Sequence, residues 1–336
     1  MTEYILTRKS ELKNTAGQKA KEDIKKILLS HGFNKLGIKI RDSRLKKVML
    51  TKFDTTKILG NVQKDDVIFL QYPISSRYTT KVILRECNKR GIKIVGIIHD
   101  IESLRLYKNN PTKIKDEIDI LKGFDCIISH NQRMNDWLRK KGIRSNKMVS
   151  LEIFDYLSSE KMIEADKNKD IIFAGNLVKS SFLKKWNINK EIIVYGINPS
   201  ENYPKNVKYR GVKKPGELVR YLSGSFGLVW DGDSTKTNSG TYGEYTRYNN
   251  PHKVSLYLSS GLPVIVWKEA AISKFVEDRN VGITVSDLNE IPDIMEKMSD
   301  HQYETILKNV KKVGNEMRRG KYILSAISKA EKCLLG

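Results

Sequence analysis

The stretch NNPHKVSLYLSSGLPVIVW (249–267) places a cation at the start of an apolar helical pattern. Pro251 favours a helix start, and Lys253 falls in the first turn, where backbone N–H groups lack intrahelical partners. These N–H groups, the positive end of the helix dipole and an ammonium group together form a site for an anion. We therefore predict that Lys253 binds a diphosphate, with Asn250 and His252 of the same stretch as further contacts. An ordinary exposed lysine after a helix-starting proline remains the alternative.

A second group of polar residues follows a predicted strand of the same half. The run DIIFAGNL (170–177) enters a Gly-Asn turn, and a lysine comes shortly after it. Ligands of parallel sheets bind outside the carboxyl ends of the strands. We therefore expect Gly175, Asn176 and Lys179 to supply further donors to the anion at Lys253.

The segment WDGDSTKTNSGTYGEYTRYNN (230–250) is rich in Gly, Thr and Tyr. It is polar and long enough to be a substrate loop. Aromatic and amide side chains suit a sugar ring, which they contact by stacking and hydrogen bonding, and a disordered surface excursion is the alternative. The candidate residues are Asp231, Asp233, Tyr242, Glu244 and Tyr248.

Two further pairs of residues have chemistry that fits a transfer reaction. His99 and Asp100 end the β-branched run IKIVGIIHD, and they suit a general base or an acceptor-binding pair, with Asp100 preferred as base. The alternative is that they cap the following helix.

Glu269 and Glu277 are eight residues apart on a predicted helix (269–282), so both fall near one face and could accept hydrogen bonds from ribose. Two solvated glutamates are the alternative.

Strands alternate with helices in both halves, which predicts an α/β fold with parallel sheets covered on both faces. The apolar spacing is lost near 152–168, which predicts a boundary between two doubly wound units. We expect an N-terminal domain (1–155), a C-terminal domain (156–310), and a last helical segment (311–336) that packs back toward the N-terminal domain. The patterns that lead to this expectation are strands at 65–73, 92–100, 124–131, 170–177, 191–196, 226–233, 262–267 and 283–285, helices at 19–33, 77–91, 132–142, 215–224 and 252–261, and a long helical tail at 301–334.

The chain of 336 residues is strongly basic, with 61 Lys and Arg against 39 Asp and Glu. Residues 1–150 hold 33 of the cations and 16 of the acids, a net charge of +17, whereas residues 151–336 hold 28 and 23, a net charge of +5. Such a field attracts a polyanion such as nucleic acid or an anionic membrane surface, or it serves only solubility. No helix-turn-helix, zinc or RNP-like motif supports a nucleic-acid partner.

Other classes of protein are disfavoured by what the sequence lacks. No GxGxxG or GxxxxGK[ST] motif is present, which weakens a dehydrogenase or ATPase interpretation and leaves a two-domain nucleotide-sugar transferase. The 3 cysteines and 5 histidines are scattered, so we expect reduced thiols and no metal site. No apolar run has membrane-spanning length, and the N-terminus has too short an apolar core for a signal peptide. We expect a cytoplasmic protein.

Several segments together resemble bacterial surface-polysaccharide glycosyltransferases, many of which are UDP-galactofuranose-dependent β-galactofuranosyltransferases. The most specific are GLVWDGDS (227–234) and YNNPHKVSLYLSSGLPVIVWKEAAISKFV (248–276). VIFLQYP, IKIVGIIHDIESLR and FAGNLVKSSFLKKW are also similar to segments of the related glucosyltransferases that extend glycans on serine-rich adhesins. The resemblance covers residues 10–325.

The resemblance implies a GT-B fold: two Rossmann-like domains with parallel sheets facing across a cleft. It implies that the C-terminal domain binds the nucleotide sugar, that the N-terminal domain binds the acceptor, and that no metal is required. The nucleotide contacts of the family fall on Thr15, Lys179 and Lys253. Lys179 replaces an Arg of the adhesin enzymes and Val212 replaces a Tyr, and these departures favour the galactofuranosyl branch.

The resemblance also implies partners and a location. We expect inverting transfer from a UDP-sugar, with Asp100 as base, onto an oligosaccharide acceptor that is lipid-linked at the anionic inner face of the membrane. The basic N-terminal half would hold the enzyme there as a peripheral protein, and a homo-oligomer is possible. A glucosyltransferase acting on glycosylated adhesins is the close alternative, and a basic nucleic-acid-binding protein is the remote one.

Overall fold

The computed structural model describes residues 1–8, 16–41, 43–74 and 76–335. Thr15, a predicted nucleotide contact, lies outside these described residues. The chain forms two compact units, one of residues 1–151 with 323–336 and the other of residues 152–322. Below, the first is called the N-terminal unit and the second the C-terminal unit.

The N-terminal unit is built on a six-stranded parallel sheet with strand order β2-β1-β3-β4-β5-β6. The order reverses between β1 and β3, so the carboxyl ends of these two strands form the switch point at which such sheets bind ligands. Its strands are β1 (Glu3–Arg8), β2 (Asn34–Ile38), β3 (Val67–Tyr72), β4 (Lys93–Ile98), β5 (Cys126–Ser129) and β6 (Met148–Ser150), and its helices include α1 (Ala16–Ser30), α2 (Arg44–Ile58), α3 (Arg77–Arg90), α4 (Glu102–Arg105), α5 (Pro111–Lys122) and α6 (Gln132–Lys140).

The C-terminal unit holds a second six-stranded parallel sheet, with strand order β12-β11-β10-β7-β8-β9. Its switch point lies between β7 and β10. The strands are β7 (Ile171–Asn176), β8 (Ile192–Ile197), β9 (Val207–Tyr209), β10 (Gly227–Val229), β11 (Val264–Trp267) and β12 (Gly282–Val285), and the helices are α7 (Pro215–Leu218), α8 (Gly240–Tyr245), α9 (His252–Ser260), α10 (Ser273–Arg279), α11 (Ile291–Lys297), α12 (Asp300–Arg318) and the start of α13 (Lys321–Leu335).

The predicted α/β class with two parallel sheets is confirmed, and the reason is visible in single elements. All residues of β3, β5 and β11 are buried, as continuous apolar runs in a sheet covered on both faces require. Helices α3 and α9 end at Gly91 and Gly261, which take left-handed φ values of 68° and 89°.

Three predicted helices have different bounds in the structure. The pattern at 269–282 forms α10 only from Ser273, and Asn280 ends it in a left-handed conformation. The pattern at 215–224 gives the single turn of α7 and a short 3-10 turn. The tail at 301–334 is two helices, α12 and α13, because Gly320 takes a φ of 76° between them. Among the residues that the structure describes, no helix combines the length and the hydrophobicity of a membrane span.

A buried tyrosine lies where the pairing of β7 with β10 ends. The two strands are in register at Ile172 and Gly227, but further along β7 the backbone N–H of Ala174 donates to the Tyr257 hydroxyl at 2.7 Å. Tyr257 comes from α9, and its ring passes over Gly227, where a Cβ would lie only 2.4 Å from the ring. The Tyr257 hydroxyl therefore accepts a hydrogen bond from β7 that a backbone carbonyl of a neighbouring strand would otherwise accept. This contact attaches α9 to the switch point of the sheet.

Candidate functional site

Lys253 lies at the switch point of the C-terminal unit. Its ammonium group donates to Asp231 Oδ1 at 2.8 Å and to the Trp230 carbonyl at 3.1 Å, both directly after β10. It also lies 4.4 Å from the centre of the Phe173 ring in β7, a cation–π contact. An ammonium has three donors, so two protein acceptors leave one N–H for a ligand. Two predicted residues, Lys253 and Asp231, are thus brought together at the start of α9.

Gly175 of β7 lies beside the lysine, since a Cβ at this position would be 3.5 Å from Lys253 Cε. Its neighbour in β8, Gly196, has a φ of 155°, and a Cβ there would lie 1.8 Å from the Gly175 carbonyl oxygen. Gly196 therefore has to be glycine if the backbone at Gly175 is to keep its path. The requirement for glycine at 196 was not predictable from local sequence, because it comes from a neighbouring strand.

Lys179 and Tyr242, predicted for different roles, are in contact. The Lys179 ammonium lies 4.0 Å from the centre of the Tyr242 ring, and the Lys179 carbonyl accepts a 2.7 Å hydrogen bond from the Gly232 N–H. These contacts join the loop after β7 to the loop after β10. Asn176 is close by and accepts through its side-chain oxygen from Val178 N at 3.3 Å and from Asn198 Nδ2 at 3.0 Å. Because its oxygen has these two partners, the amide N–H groups of Asn176 are the ones that can serve a ligand.

The segment 230–250 is folded, so the alternative of a disordered excursion is wrong. Asn238 is only 1% exposed and organises the segment: its side-chain oxygen accepts from Asp231 N at 3.1 Å and its amide donates to Thr246 Oγ1 at 3.0 Å. Asp233 accepts a hydrogen bond from the Ser239 hydroxyl, which lowers the pKa of that carboxyl. α8 lies inside the segment, and asparagine at 238 was missed because a single buried amide leaves no periodic signal in a sequence.

The predicted common helix face of Glu269 and Glu277 does not exist. Glu269 lies in the turn before α10, where it pairs with Arg247, while Glu277 is on α10 and accepts from Thr284 Oγ1 at 2.8 Å. Arg247 also pairs with Glu244 at 3.2 Å. Arg247 therefore links Glu269 to Glu244, and Glu269 and Glu277 do not form the predicted pair of carboxylates on one helix face.

Asn250 and His252 contact the start of the C-terminal unit. Asn250 is 2% exposed and donates to the Glu152 carbonyl at 2.9 Å, and the His252 ring packs on Phe154 with 4.5 Å between centres. Burial lowers the pKa of His252 to about 4, so this imidazole is neutral at pH 7. Tyr248, the last loop candidate, is half-buried in the turn after α8.

His99 and Asp100 follow β4 in the N-terminal unit and have separate surroundings. Buried His99 donates through Nε2 to the Gln71 side-chain oxygen at 2.8 Å, because Gln71 uses its amide nitrogen to reach the Lys21 carbonyl at 3.0 Å. Asp100 is half-exposed and accepts from Arg105 at 2.8 Å. Of the two, Asp100 is the one whose side chain reaches solvent.

The alternative role of Asp100 and His99 as helix caps is wrong. Ile101 is the N-cap of α4, and its apolar side chain makes no capping hydrogen bond. Instead the buried carboxylate of Glu117, on α5, accepts from Glu102 N at 3.2 Å and from Ser103 N at 2.6 Å. The cap comes from a residue distant in sequence, which local spacing cannot reveal.

Lys21, which was not among the predicted site residues, lies close to the predicted base Asp100. It lies on α1, the helix that follows β1 in the chain, and donates to the Pro73 carbonyl at 2.7 Å. Burial lowers its pKa to about 8, and the nearby charge of Asp100 opposes part of that shift. In the sequence, the signal for Lys21 was its position in the lysine-rich helical pattern at 19–33. Among the described residues no group of three or more His, Cys, Asp or Glu could hold a metal ion.

Comparison with known proteins identifies the family. The glucosyltransferase 3-like family matches over both of its domains, the N-terminal domain at residues 3–153 and the C-terminal domain at residues 171–330. Beta-1,6-galactofuranosyltransferase WbbI of Escherichia coli (strain K12) is 30% identical over 324 residues, 95% of each chain. Glucosyltransferase 3 of Streptococcus gordonii is 25% identical over 305 residues, 90% of each chain.

The fold is shared with more distant enzymes. The solved structure of an alpha-glucosyltransferase in complex with UDP superposes with a TM-score of 0.59 at 11% identity and covers 100% of both chains. At this identity the likeness concerns the fold alone, which is GT-B. Together with the family match, it leads to one assignment: the chain belongs to the glucosyltransferase 3-like family and is a glycosyltransferase of the GT-B fold.

Proposed function

We propose that the enzyme transfers galactofuranose from UDP-galactofuranose to a hydroxyl of a growing surface glycan such as O-antigen or capsule. The observation that carries the donor site is the Lys253 ammonium, held by Asp231 at the start of α9 and at the switch point of its sheet. The identity of 30% with a β-1,6-galactofuranosyltransferase favours the sugar.

The diphosphate of the donor would lie at the start of α9. Backbone N–H groups at the start of the first turn and the Lys253 ammonium would bind its oxygens, and Lys179 would approach from the loop after β7. Gly175 lies next to Lys253 and has no side chain that would obstruct the diphosphate. The charge that gathers on the departing UDP would then meet preorganised donors, which lowers the barrier to bond cleavage.

The transfer inverts the anomeric centre in a single displacement. The acceptor oxygen attacks C1 of the sugar, the bond from C1 to the phosphate oxygen breaks, and UDP leaves with that electron pair. The acceptor proton passes to a base, for which we propose Asp100, with the acceptor bound by the N-terminal unit. Arg105 orients that carboxylate at 2.8 Å. Residues around Tyr242 and Tyr248 would contact the sugar, and no metal is needed for these steps.

The acceptor is proposed to be a lipid-linked oligosaccharide. The first 150 residues hold 33 cations and 16 acids, and this charge would attract the enzyme to an anionic membrane surface as a peripheral protein. Nucleic acid is disfavoured, because the basic residues are dispersed over several helices.

A second candidate is a UDP-glucose-dependent glucosyltransferase that extends glycans on serine-rich adhesins. The family name and the 25% identity with glucosyltransferase 3 of Streptococcus gordonii favour it. Its acceptor would be a protein rather than a lipid, so the two candidates differ in both substrates.

A donor screen separates the candidates. Hydrolysis and thermal shift are measured with UDP-galactofuranose, UDP-galactopyranose, UDP-glucose and UDP-N-acetylglucosamine. We expect UDP-galactofuranose to be hydrolysed fastest and to stabilise the protein most. Preference for UDP-glucose would support the second candidate, and no response to any UDP compound would refute both.

A further inference from the structure

Helix α2 of the N-terminal unit exposes four apolar side chains to solvent. Leu45, Val48, Met49 and Phe53 are 69%, 56%, 67% and 65% exposed. Leu45, Met49 and Phe53 are spaced four apart, so they form one continuous stripe along the helix. A contiguous exposed apolar stripe of this kind marks an interaction surface more often than single exposed apolar residues do.

The two α2 side chains that are described as fully buried are both polar. Thr51 and Thr55 are 3% and 0% exposed, and the Thr55 hydroxyl donates to the Thr51 carbonyl at 2.7 Å. A surface helix of a globular protein normally does the reverse and buries its apolar face. The apolar stripe of α2 is therefore not needed to attach the helix to its own unit.

Positive charge surrounds the stripe. Residues 39–58 contain seven lysines and arginines and two aspartates. Asp54, the one carboxylate in the α2 sequence, is bound by Arg41 through two hydrogen bonds of 2.9 Å. Lys46, Lys52 and Lys57 are exposed beside the stripe. Apolar side chains with lysines at their edges complement a layer of anionic headgroups above acyl chains.

We propose that the α2 stripe (Leu45, Val48, Met49 and Phe53) inserts into the surface of an anionic lipid bilayer. The apolar side chains enter the boundary between headgroups and acyl chains, and the lysines bind the headgroup phosphates. The helix lies in the plane of the surface. This inference deepens the membrane association in the proposed function, and it does not depend on the identity of the donor sugar.

The test uses the full chain and vesicles of phosphatidylglycerol with phosphatidylethanolamine, compared with pure phosphatidylcholine. Cosedimentation measures the partition coefficient of the wild type and of the double variant Met49→Ser/Phe53→Ser, which leaves the net charge unchanged. The hydrophobic contribution of these two large side chains predicts that binding weakens at least about tenfold. Leu106→Ser is the matched control, because Leu106 is 45% exposed in the same unit but outside α2.

A second variant reports insertion directly. Phe53→Trp adds a fluorophore to the stripe, and we expect its emission, after subtraction of the wild-type signal, to shift to the blue and to be quenched by brominated lipids. Binding should also weaken as salt rises and on phosphatidylcholine. Unchanged partition of the double variant, or a Phe53→Trp difference signal that brominated lipids fail to quench, would overturn the proposal.

The other occupant of such a face is a second copy of the chain. If the double variant dissociates an oligomer in lipid-free sedimentation and the wild type fails to bind vesicles, the stripe is a subunit interface and the proposal is wrong. A UDP thermal shift on the wild type separates this inference from the proposed function. Absent vesicle binding with a normal UDP response refutes the α2 inference alone, whereas an absent UDP response with normal vesicle binding refutes the proposed function alone.

Discussion

Exchange of Lys253 for methionine separates the two tasks that this lysine performs. The methionine keeps the apolar stem that crosses Phe173 and removes the charge. Asp231, whose side chain is 17% exposed, then loses its cation partner. Breaking a fully buried pair costs roughly 3–5 kcal/mol and a surface pair contributes about 0–1 kcal/mol, so for this intermediate case we expect unfolding free energy to fall by about 2 kcal/mol.

UDP binding should fall by a different mechanism and a larger amount. A charge-assisted hydrogen bond to phosphate is worth about 1.5–3 kcal/mol, and the unpaired Asp231 carboxylate would also repel the diphosphate. We expect a loss of about 3 kcal/mol, which corresponds to an approximately 100-fold higher Kd. Isothermal titration with UDP measures this loss, and urea unfolding measures the stability.

Asp231→Asn is the partner variant that completes the cycle. In the double variant Lys253→Met/Asp231→Asn no orphaned carboxylate remains, so stability should recover most of the loss seen in Lys253→Met. UDP affinity should stay well below that of the wild type, because the donor to the phosphate is still missing. If the double variant binds UDP like the wild type, or if Lys253→Met binds it normally, the phosphate site is not at α9.

Three further predictions concern the surroundings of the site. Tyr257→Phe should lower the free energy of unfolding by about 1–3 kcal/mol, since the buried Ala174 N–H loses its acceptor, and urea denaturation would show no loss if this hydrogen bond is unimportant. Gly196→Ala should cost at least about 2 kcal/mol and weaken UDP binding, because its Cβ would meet the Gly175 carbonyl at 1.8 Å; a variant with wild-type stability would contradict that clash. His252 has a folded pKa of about 4, below its unfolded value of 6.5, so stability is fully present above pH 6.5 and is lost as pH falls toward 4. Between pH 6.5 and pH 4, the unfolding free energy of His252→Gln should therefore fall by up to about 3 kcal/mol less than that of the wild type. Equal decreases in the two proteins would exclude His252 as the group responsible.

Part of this molecule was predictable from its sequence for physical reasons. A buried parallel strand is a continuous β-branched run, and a glycine ends a helix at its own position, so β3, β11, α3 and α9 could be placed within one or two residues. The position of Lys253 in the first turn of α9 followed from the proline before it.

Other features depend on contacts between residues far apart in sequence. Glu117 caps α4 from another helix, Asn238 orders its segment by burial of one amide, and Gly196 is required by the carbonyl of a neighbouring strand. Helix α2 was missed because its pattern is inverted, with threonine inside and apolar residues outside. The periodicity that identifies a helix assumes apolar residues at the buried positions, and the fully buried positions of α2 are threonines.

The direct test of the central claim is a crystal structure of the enzyme with UDP bound. The β-phosphate should lie within hydrogen-bond distance, on the order of 3 Å, of Lys253 Nζ and of the backbone N–H groups at the start of α9. Density for the diphosphate at any other position, with the Lys253–Asp231 pair unchanged and solvent at the start of α9, would contradict the claim.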